Sequence, residues 1–254
     1  MKVLAIGDVI GKTGVKRLSS DLPKIIKDKV IDFVIVNGEN AGDGFGITDK
    51  QYKDILASGA DVITMGDHTW GKKDIFGFID EDTLLRPANL GEKVPGKGYS
   101  IFKKNGKKIC VISLIGRTFM SVLSNNPFEC IDRILKKVEA DIIIVDFHAE
   151  ATAEKIAMAR YLDGRVTCIY GTHTHVQTAD EKILDKGTGY ITDIGMTGPV
   201  NSVIGMDIEV SLKRFITSIP ERYKYAEGPA CINGCIFEIN DENCKMEKIE
   251  RVNL

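Results

Sequence analysis

Short apolar runs punctuate the chain: VLAI at 3–6, FVIV at 33–36, VIT at 62–64, KICVISLI at 108–115, IIIV at 142–145 and VTCIY at 166–170. They are rich in Val and Ile, too short for helices, and apolar at consecutive rather than alternate positions, the pattern of strands buried on both faces. Between most of them lie segments with a helical period. Val15, Leu18, Leu22, Ile25 and Ile26 share one face of a helix over 15–26. In NPFECIDRILKKV, Asn126 is placed to cap, Pro127 to take the first helical position and Glu129 to close a capping box. This alternation predicts an α/β fold with a mostly parallel sheet under helices. From Ala230 the pattern changes, and CIFEI and KMEKIERV, split by NDENC, predict a closing hairpin.

The residues that follow the strands carry the chemistry. Asp8 follows the first run, Glu39 and Asn40 the second, Asp67 and His68 the third, His148 the IIIV run, and His173 and His175 the last. All four histidines of the chain stand in these positions. A lone histidine there is more often a packed or hydrogen-bonded side chain; four of four beside carboxylates point to a site. Ligands of open α/β sheets collect at the carboxyl ends of strands, so the clusters are expected to converge on one sheet edge. Imidazole, carboxylate and amide together suit Mn, Fe or Zn. These side chains exceed what one ion can use, whereas two ions sharing a bridging carboxylate accommodate them, the device that serves phosphoryl displacement. On an extended backbone the two histidines of GTHTH would share a face about 6.6 Å apart, so that each addresses a different ion.

Composition narrows the rest. No linker, low-complexity tract or charge run divides the 254 residues, which predicts one domain over 1–254. Hydrophobic content of 43% with 28% charged residues is that of a globule with a large core, and a net charge of -2 argues against a broad nucleic-acid surface. A small-molecule partner fits that balance, and a homo-oligomer stays open. No apolar stretch approaches the ~20 residues of a membrane span, and the run before Asp8 is too short for a signal-peptide core, so a cytoplasmic protein without membrane contact is expected. The six cysteines lack CxxC spacing and read as reduced thiols. Cys231 and Cys235 lie four residues apart in a predicted strand, about 13 Å, too far for one zinc.

Several features compete for attention. GDVIGKTG sits between a strand and a helix like a phosphate-binding P-loop, but Gly7 and Gly11 enclose three residues where that motif needs four. An NTPase is therefore a distant alternative, and the glycines are expected to bring the backbone close to the site. AGDGFGIT lacks G-x-G-x-x-G spacing and predicts a mobile loop beside the site. Lys72, Lys73, Arg86 and Arg117 are candidate phosphate contacts, a solvated surface charge being the commoner state for each. TDIGMTGP at 192–199 reads as a turn or a substrate-side loop, and Trp70 as packing.

Together, GDVIGKTG, NGENAGDGFGIT, GDHTW, DFHAE, GTHTHVQTAD and YITDIGMTGP resemble the YmdB-like metallophosphoesterases, a calcineurin-like group associated with hydrolysis of 2′,3′-cyclic nucleotides. The resemblance implies a metallophosphoesterase sandwich of class α/β: two central mixed β-sheets flanked by helices, in four layers α/β/β/α. It implies a di-metal centre of iron or manganese, with zinc as a further candidate. Asp8, Glu39, Asn40 and His175 would ligate one ion, Glu39 would bridge, and Asp67, His148 and His173 would complete the other. His68 is then left as general acid, with a metal-bridging hydroxide as nucleophile and a cyclic nucleotide of the 2′,3′-cAMP type, or 3′,5′-cAMP, as substrate. A phosphomonoesterase on the same centre and a regulatory or RNA-associated binding protein with weak catalysis stay open as alternatives. One position departs from the family pattern, which usually has Asn where this chain has Asp67. An ionised Asp67 adds one negative charge and weakens attraction for a phosphodiester anion unless one ion is trivalent.

Overall fold

In the computed structural model, which describes residues 1–254, the apolar runs become strands of two sheets rather than one. The chain runs β1 (Lys2–Ile6), β2 (Asp8–Val9), α1 (Gly11–Lys29), β3 (Phe33–Asn37), α2 (Asp49–Ala57), β4 (Val62–Thr64) and β5 (Leu84–Leu85). It then passes into β6 (Tyr99–Lys104), β7 (Lys107–Ile115), α3 (Pro127–Leu135), β8 (Ile142–His148), α4 (Thr152–Leu162) and β9 (Cys168–Thr172). The last third holds β10 (Lys182–Ile183), β11 (Gly189–Ile191), β12 (Met196–Pro199), α5 (Ile208–Thr217), β13 (Ala230–Ile239) and β14 (Met246–Asn253). The first sheet is ordered β2-β12-β13-β1-β3-β4-β5, with β14 closing a hairpin on β13; the second is β10-β11-β9-β8-β7-β6. Both are mixed: β1, β3, β4 and β5 are parallel while β13 runs against β1, and β11, β9, β8 and β7 are parallel between antiparallel edges.

Why the strands are apolar on both faces follows from the layers. On β1, Val3 and Ala5 enter a cluster with Phe33, Ile35, Ile109, Val111, Ile142 and Ile144 between the sheets. Leu4 and Ile6 point the other way, to Val15, Leu18, Leu22 and Ile25 of α1 and Tyr52 and Ile55 of α2. Across the second sheet, Cys110, Ile112, Val145 and Phe147 meet Ile131 and Ile134 of α3 and Met158 and Leu162 of α4. The result is the four-layer α/β/β/α sandwich that the resemblance implied.

Local expectations held with corrections. Helix α1 is longer than its apolar stripe, starting at Gly11, containing Pro23 and ending at Val30 in the left-handed region (φ 54°). Asn126 caps α3 by accepting from Phe128 N, but Glu129 meets the Asn126 side-chain amide (3.4 Å) instead of closing a box on the backbone. A complete capping box forms at α2, between Thr48 and Gln51. The first glycine of GDVIGKTG serves the sheet rather than an ion: a Cβ on Gly7 would lie 1.9 Å from the Gly195 carbonyl oxygen. Met196–Pro199, expected as turn or loop, is the strand that pairs β2 with β13. Cys231 and Cys235 lie on β13, and all six cysteines are free. No helix is long and apolar enough to cross a membrane.

Candidate metal centre

The site forms where the carboxyl ends of the two sheets meet, not along one sheet edge. From the first sheet, β2 opens on Asp8, the turn after β3 presents Glu39 and Asn40, and the turn after β4 presents Asp67 and His68. From the second, β8 ends on His148 and the segment after β9 carries His173 and His175. Ligand atoms of Glu39, Asp67, His148 and His173 lie within 4.8 Å of one another. His148 Nε2 is 2.8 Å from Asp67 Oδ1 and 3.3 Å from Glu39 Oε1, and His173 Nδ1 is 3.3 Å from Asp67 Oδ1. On the other side, Asp8 Oδ1 is 3.9 Å from His175 Nε2, and the Asn40 amide lies 3.2 Å from that nitrogen and 3.1 Å from Glu39 Oε1. The eight predicted side chains are thus together, with Glu39 between the two groups. Gly66 makes room for them: a Cβ there would sit 2.3 Å from both Glu39 Oε2 and the His148 ring.

The histidines of these groups share one arrangement. His148 Nδ1 bonds Thr172 Oγ1 (2.9 Å), whose hydroxyl donates to buried Asp146 (2.7 Å); His173 Nε2 faces Glu150 (3.1 Å); His175 Nδ1 donates to the Ile204 carbonyl (2.8 Å). In each ring one nitrogen is engaged outward and the other faces the carboxylates, as metal-ligating imidazoles are held. Asp146 is itself fixed by Thr64 (2.6 Å) and Asn37 (3.2 Å). Since Thr172 gives its proton to Asp146, its oxygen is left to accept from His148. Thr172→Val keeps the shape and removes that acceptor. It is expected to weaken metal binding about 10- to 100-fold, measured by competition with a chelator; unchanged affinity would remove the relay from the account.

Electrostatics favours a cation here. Asp8, Glu39 and Asp67 have ion-pair contacts only with histidines, none with Lys or Arg. Asp8 Oδ1 is buried without any hydrogen-bond partner. Burial pushes the Asp8 carboxyl up to about 8, against the pull of His148. Burial would raise Glu39 and Asp67 as well, but the imidazoles beside them, His148 foremost, turn both shifts downward. Burial opposes a charged His148, yet Glu39, Asp67 and Asp8 carry its pKa well above the usual value. Burial lowers the pKa of His175, against the hydrogen bond to the Ile204 carbonyl, which raises it. Buried carboxylates that only histidines can neutralise, one of them with an orphaned oxygen, suit metal ions by charge and donor type.

Sequence reasoning missed the side chains that hold the ligands. The strand begun by VTCIY ends at Thr172, so His173 and His175 are not on an extended backbone; both have positive φ, 100° and 66°. Such residues each cost about 1–3 kcal/mol and persist where the surroundings fix them. Asp193 does so, accepting from Thr174 N (3.2 Å) and Oγ1 (2.8 Å) between the two histidines. Lys155 bonds Asp193 at 2.7 Å, both side chains 1% exposed. Asp193, Asp146, Thr172 and Glu150 all lay within or beside the quoted motifs, but as acids and hydroxyls they carried no signal distinguishing support from ligation.

His68 stands at the rim with its side chain 30% exposed, outside the tight group. Its Nδ1 is 2.8 Å from Asn40 Oδ1, its Nε2 is 3.4 Å from Asp67 Oδ2, and its backbone N donates to Glu39 Oε2 (3.2 Å). The AGDGFGIT loop lies beside it as expected, with the Phe45 ring 4.6 Å from the imidazole centroid. Trp70 packs on Phe76 (5.6 Å). Lys72 faces Asp43 (3.8 Å), while Arg86, expected at the surface or on phosphate, is buried and spans the carbonyls of Pro87, Val94 and Pro95.

Residues 4–252 match the family model described as YmdB-like protein. The chain is 49% identical to the 2′,3′-cyclic-nucleotide 2′-phosphodiesterase of Bacillus subtilis (strain 168), over 99% of this chain and 96% of that one. Among solved structures, a hypothetical protein from Thermus thermophilus superposes with a TM-score of 0.96 at 37% identity, covering 100% of this chain and 99% of the other. A novel phosphatase from Mycoplasma pneumoniae does so at 0.95 and 38%, covering 100% and 93%.

Proposed function

This chain belongs to the YmdB-like protein family and is a phosphodiesterase of the metallophosphoesterase fold; from that premise we propose that it hydrolyses 2′,3′-cyclic nucleotides at a centre of two metal ions. The observation that carries this reading is the common arrangement of His148, His173 and His175, each tied outward by one ring nitrogen and turned with the other toward Asp8, Glu39 and Asp67. Asp8, Asn40 and His175 would hold one ion, Asp67, His148 and His173 the other, and Glu39 both. Iron or manganese suits this donor set, and zinc is compatible with it. When bound, such ions supply Lewis-acid polarisation and charge neutralisation for a phosphoryl displacement.

The chain's own part is orientation and proton delivery. His68 Nδ1 donates to Asn40 Oδ1 (2.8 Å), an acceptor that suits the imidazolium with a proton on both ring nitrogens, and Nε2, 3.4 Å from Asp67 Oδ2, is the nitrogen that faces the centre. Protonated His68 delivers a proton to the departing ribose oxygen, an alkoxide that leaves poorly unaided. Phe45 backs the ring on one side, and the bond from the His68 backbone to Glu39 fixes its distance from the ligands.

Asp67 sets the charge of the centre. Asp67→Asn is expected to lower KM about tenfold with metal content unchanged, because one charge near the phosphate in a partly exposed site is worth roughly 1–2 kcal/mol. Equal KM in both proteins, with all-divalent ions by redox-state spectroscopy, would contradict this. The substrate assignment is tested by assaying 2′,3′-cyclic, 3′,5′-cyclic and simple monoester nucleotides side by side. We expect the 2′,3′-cyclic substrate to be preferred; a preference for monoesters would make the enzyme a phosphomonoesterase. The cluster shared by both sheets supports one domain over 1–254, and six free cysteines suit the cytoplasm.

A further inference from the structure

Phe45 is an apolar ring left open beside a polar centre, 51% exposed. Exposure alone means little for a single side chain, but this ring is braced. Its centroid lies 4.6 Å from that of His68, the two planes tilted by 47°. Two turns hold it there. In the first, the Gly44 amide donates to the Asn40 carbonyl (2.9 Å), the Phe45 amide to the Gly42 carbonyl (3.3 Å) and the Gly42 amide to the Gly46 carbonyl (2.6 Å). In the second, the Gly71 amide donates to the His68 carbonyl (2.8 Å). The turns meet backbone to backbone. A Cβ on Gly71 would lie 2.6 Å from Phe45 Cδ1 and 2.8 Å from Gly46 N, and one on Gly46, at φ 75°, would lie 2.7 Å from Lys72 N. The glycines of AGDGFGIT thus carry one phenyl ring up to the imidazole and leave half of it bare.

The position of the ring selects its partner. A sugar whose oxygen takes the proton of His68 has to lie within hydrogen-bond reach of that imidazole. The base is joined to the same five-membered ring, which brings it within reach of the side chain packed on His68. Trp70, the aromatic residue nearest to His68 in sequence, already stacks on Phe76 (5.6 Å, 12°), which takes one of its faces. We infer that Phe45 is the platform on which the nucleobase of a 2′,3′-cyclic nucleotide stacks, and so the residue that separates nucleotides from cyclic diesters without a base. The inference rests on the proposed hydrolysis of cyclic nucleotides at this centre. Every base has a π face, so the platform selects nucleotides as a class and accepts all four bases.

Two substrates of the metal-loaded full chain test this: 2′,3′-cyclic AMP, and 1,4-anhydroribitol 2,3-cyclic phosphate, the same cyclic diester with hydrogen in place of adenine. In Phe45→Leu the ratio of kcat/KM for the first over the second is expected to fall about tenfold or more, through a higher KM for the nucleotide, the size that losing one base–aromatic stack implies. Phe45→Trp is expected to keep the ratio at or above that of the wild type. Any loss of support for His68 slows both substrates alike and cancels in the ratio. Phe45 stands half-exposed on a turn, outside the core clusters, so both variants should keep the wild-type circular dichroism spectrum. A ratio unchanged in Phe45→Leu, in a protein whose wild type hydrolyses 2′,3′-cyclic AMP, overturns the inference and leaves the proposed function standing. A ratio that falls as far in Phe45→Trp as in Phe45→Leu also overturns it. A wild type that hydrolyses the base-free diester but no cyclic nucleotide overturns both.

Discussion

Glu39→Gln is expected to strip the protein of most of its bound metal and to lower kcat/KM about 10⁴-fold or more, roughly 5 kcal/mol of transition-state stabilisation. The size follows from position. Glu39 touches both ligand groups, with Oε1 3.1 Å from the Asn40 amide and 3.3 Å from His148, while Oε2 receives the His68 backbone N–H. The substitution removes a charge from a buried cluster that no Lys or Arg enters, and turns an NH2 toward cations that need an oxygen. Gln is nearly isosteric and the space left by Gly66 is unchanged, so loss of metal would not follow from a packing fault. Metal quantified by mass spectrometry on the purified variant, beside its circular dichroism spectrum, checks the prediction. Two ions per chain in folded Glu39→Gln would show that this carboxylate does not hold both.

His68→Gln is expected to behave differently: metal content intact, kcat lower by about 10²–10⁴. The imidazole is close enough to act and too far out to ligate, its Nε2 at 3.4 Å from Asp67 and its Nδ1 engaged by Asn40. Gln keeps a hydrogen-bonding group there without a transferable proton. A substrate with a better leaving group than a ribose alkoxide, such as a nitrophenyl phosphodiester, should lose much less on the same substitution, because it needs less proton help. If His68→Gln loses a metal ion, or slows both substrates equally, the acid assignment is wrong.

These two effects separate because the chain places its donors in two rings, and much of that placement was legible from residue types alone. Carboxylates and histidines after consecutive apolar runs marked the strand ends, and all eight side chains named from them meet in space. The pattern could not tell which strands share a sheet. A run apolar on both faces is satisfied equally by a helix on each side or by a helix and a second sheet, and no periodicity encodes that Val3 and Ile109 belong to one cluster between the sheets. Hence the site was expected along one edge and lies between two. The supporting side chains were hidden for a related reason. Asp193 is bonded to a lysine from α4 that is distant in sequence, and Asp146 acts on His148 only through Thr172. Their roles depend on pairings across elements, which single-chain spacing does not contain.

The departure at Asp67 and the arrangement of His68 both presuppose that the cluster holds two ions and that catalysis needs both. Titrating metal-free protein with manganese or ferrous iron, while following hydrolysis of 2′,3′-cyclic AMP, tests this most directly. Activity should rise with added metal and reach its plateau at two equivalents per chain. A plateau at one equivalent, or full activity in the metal-free protein, would contradict it.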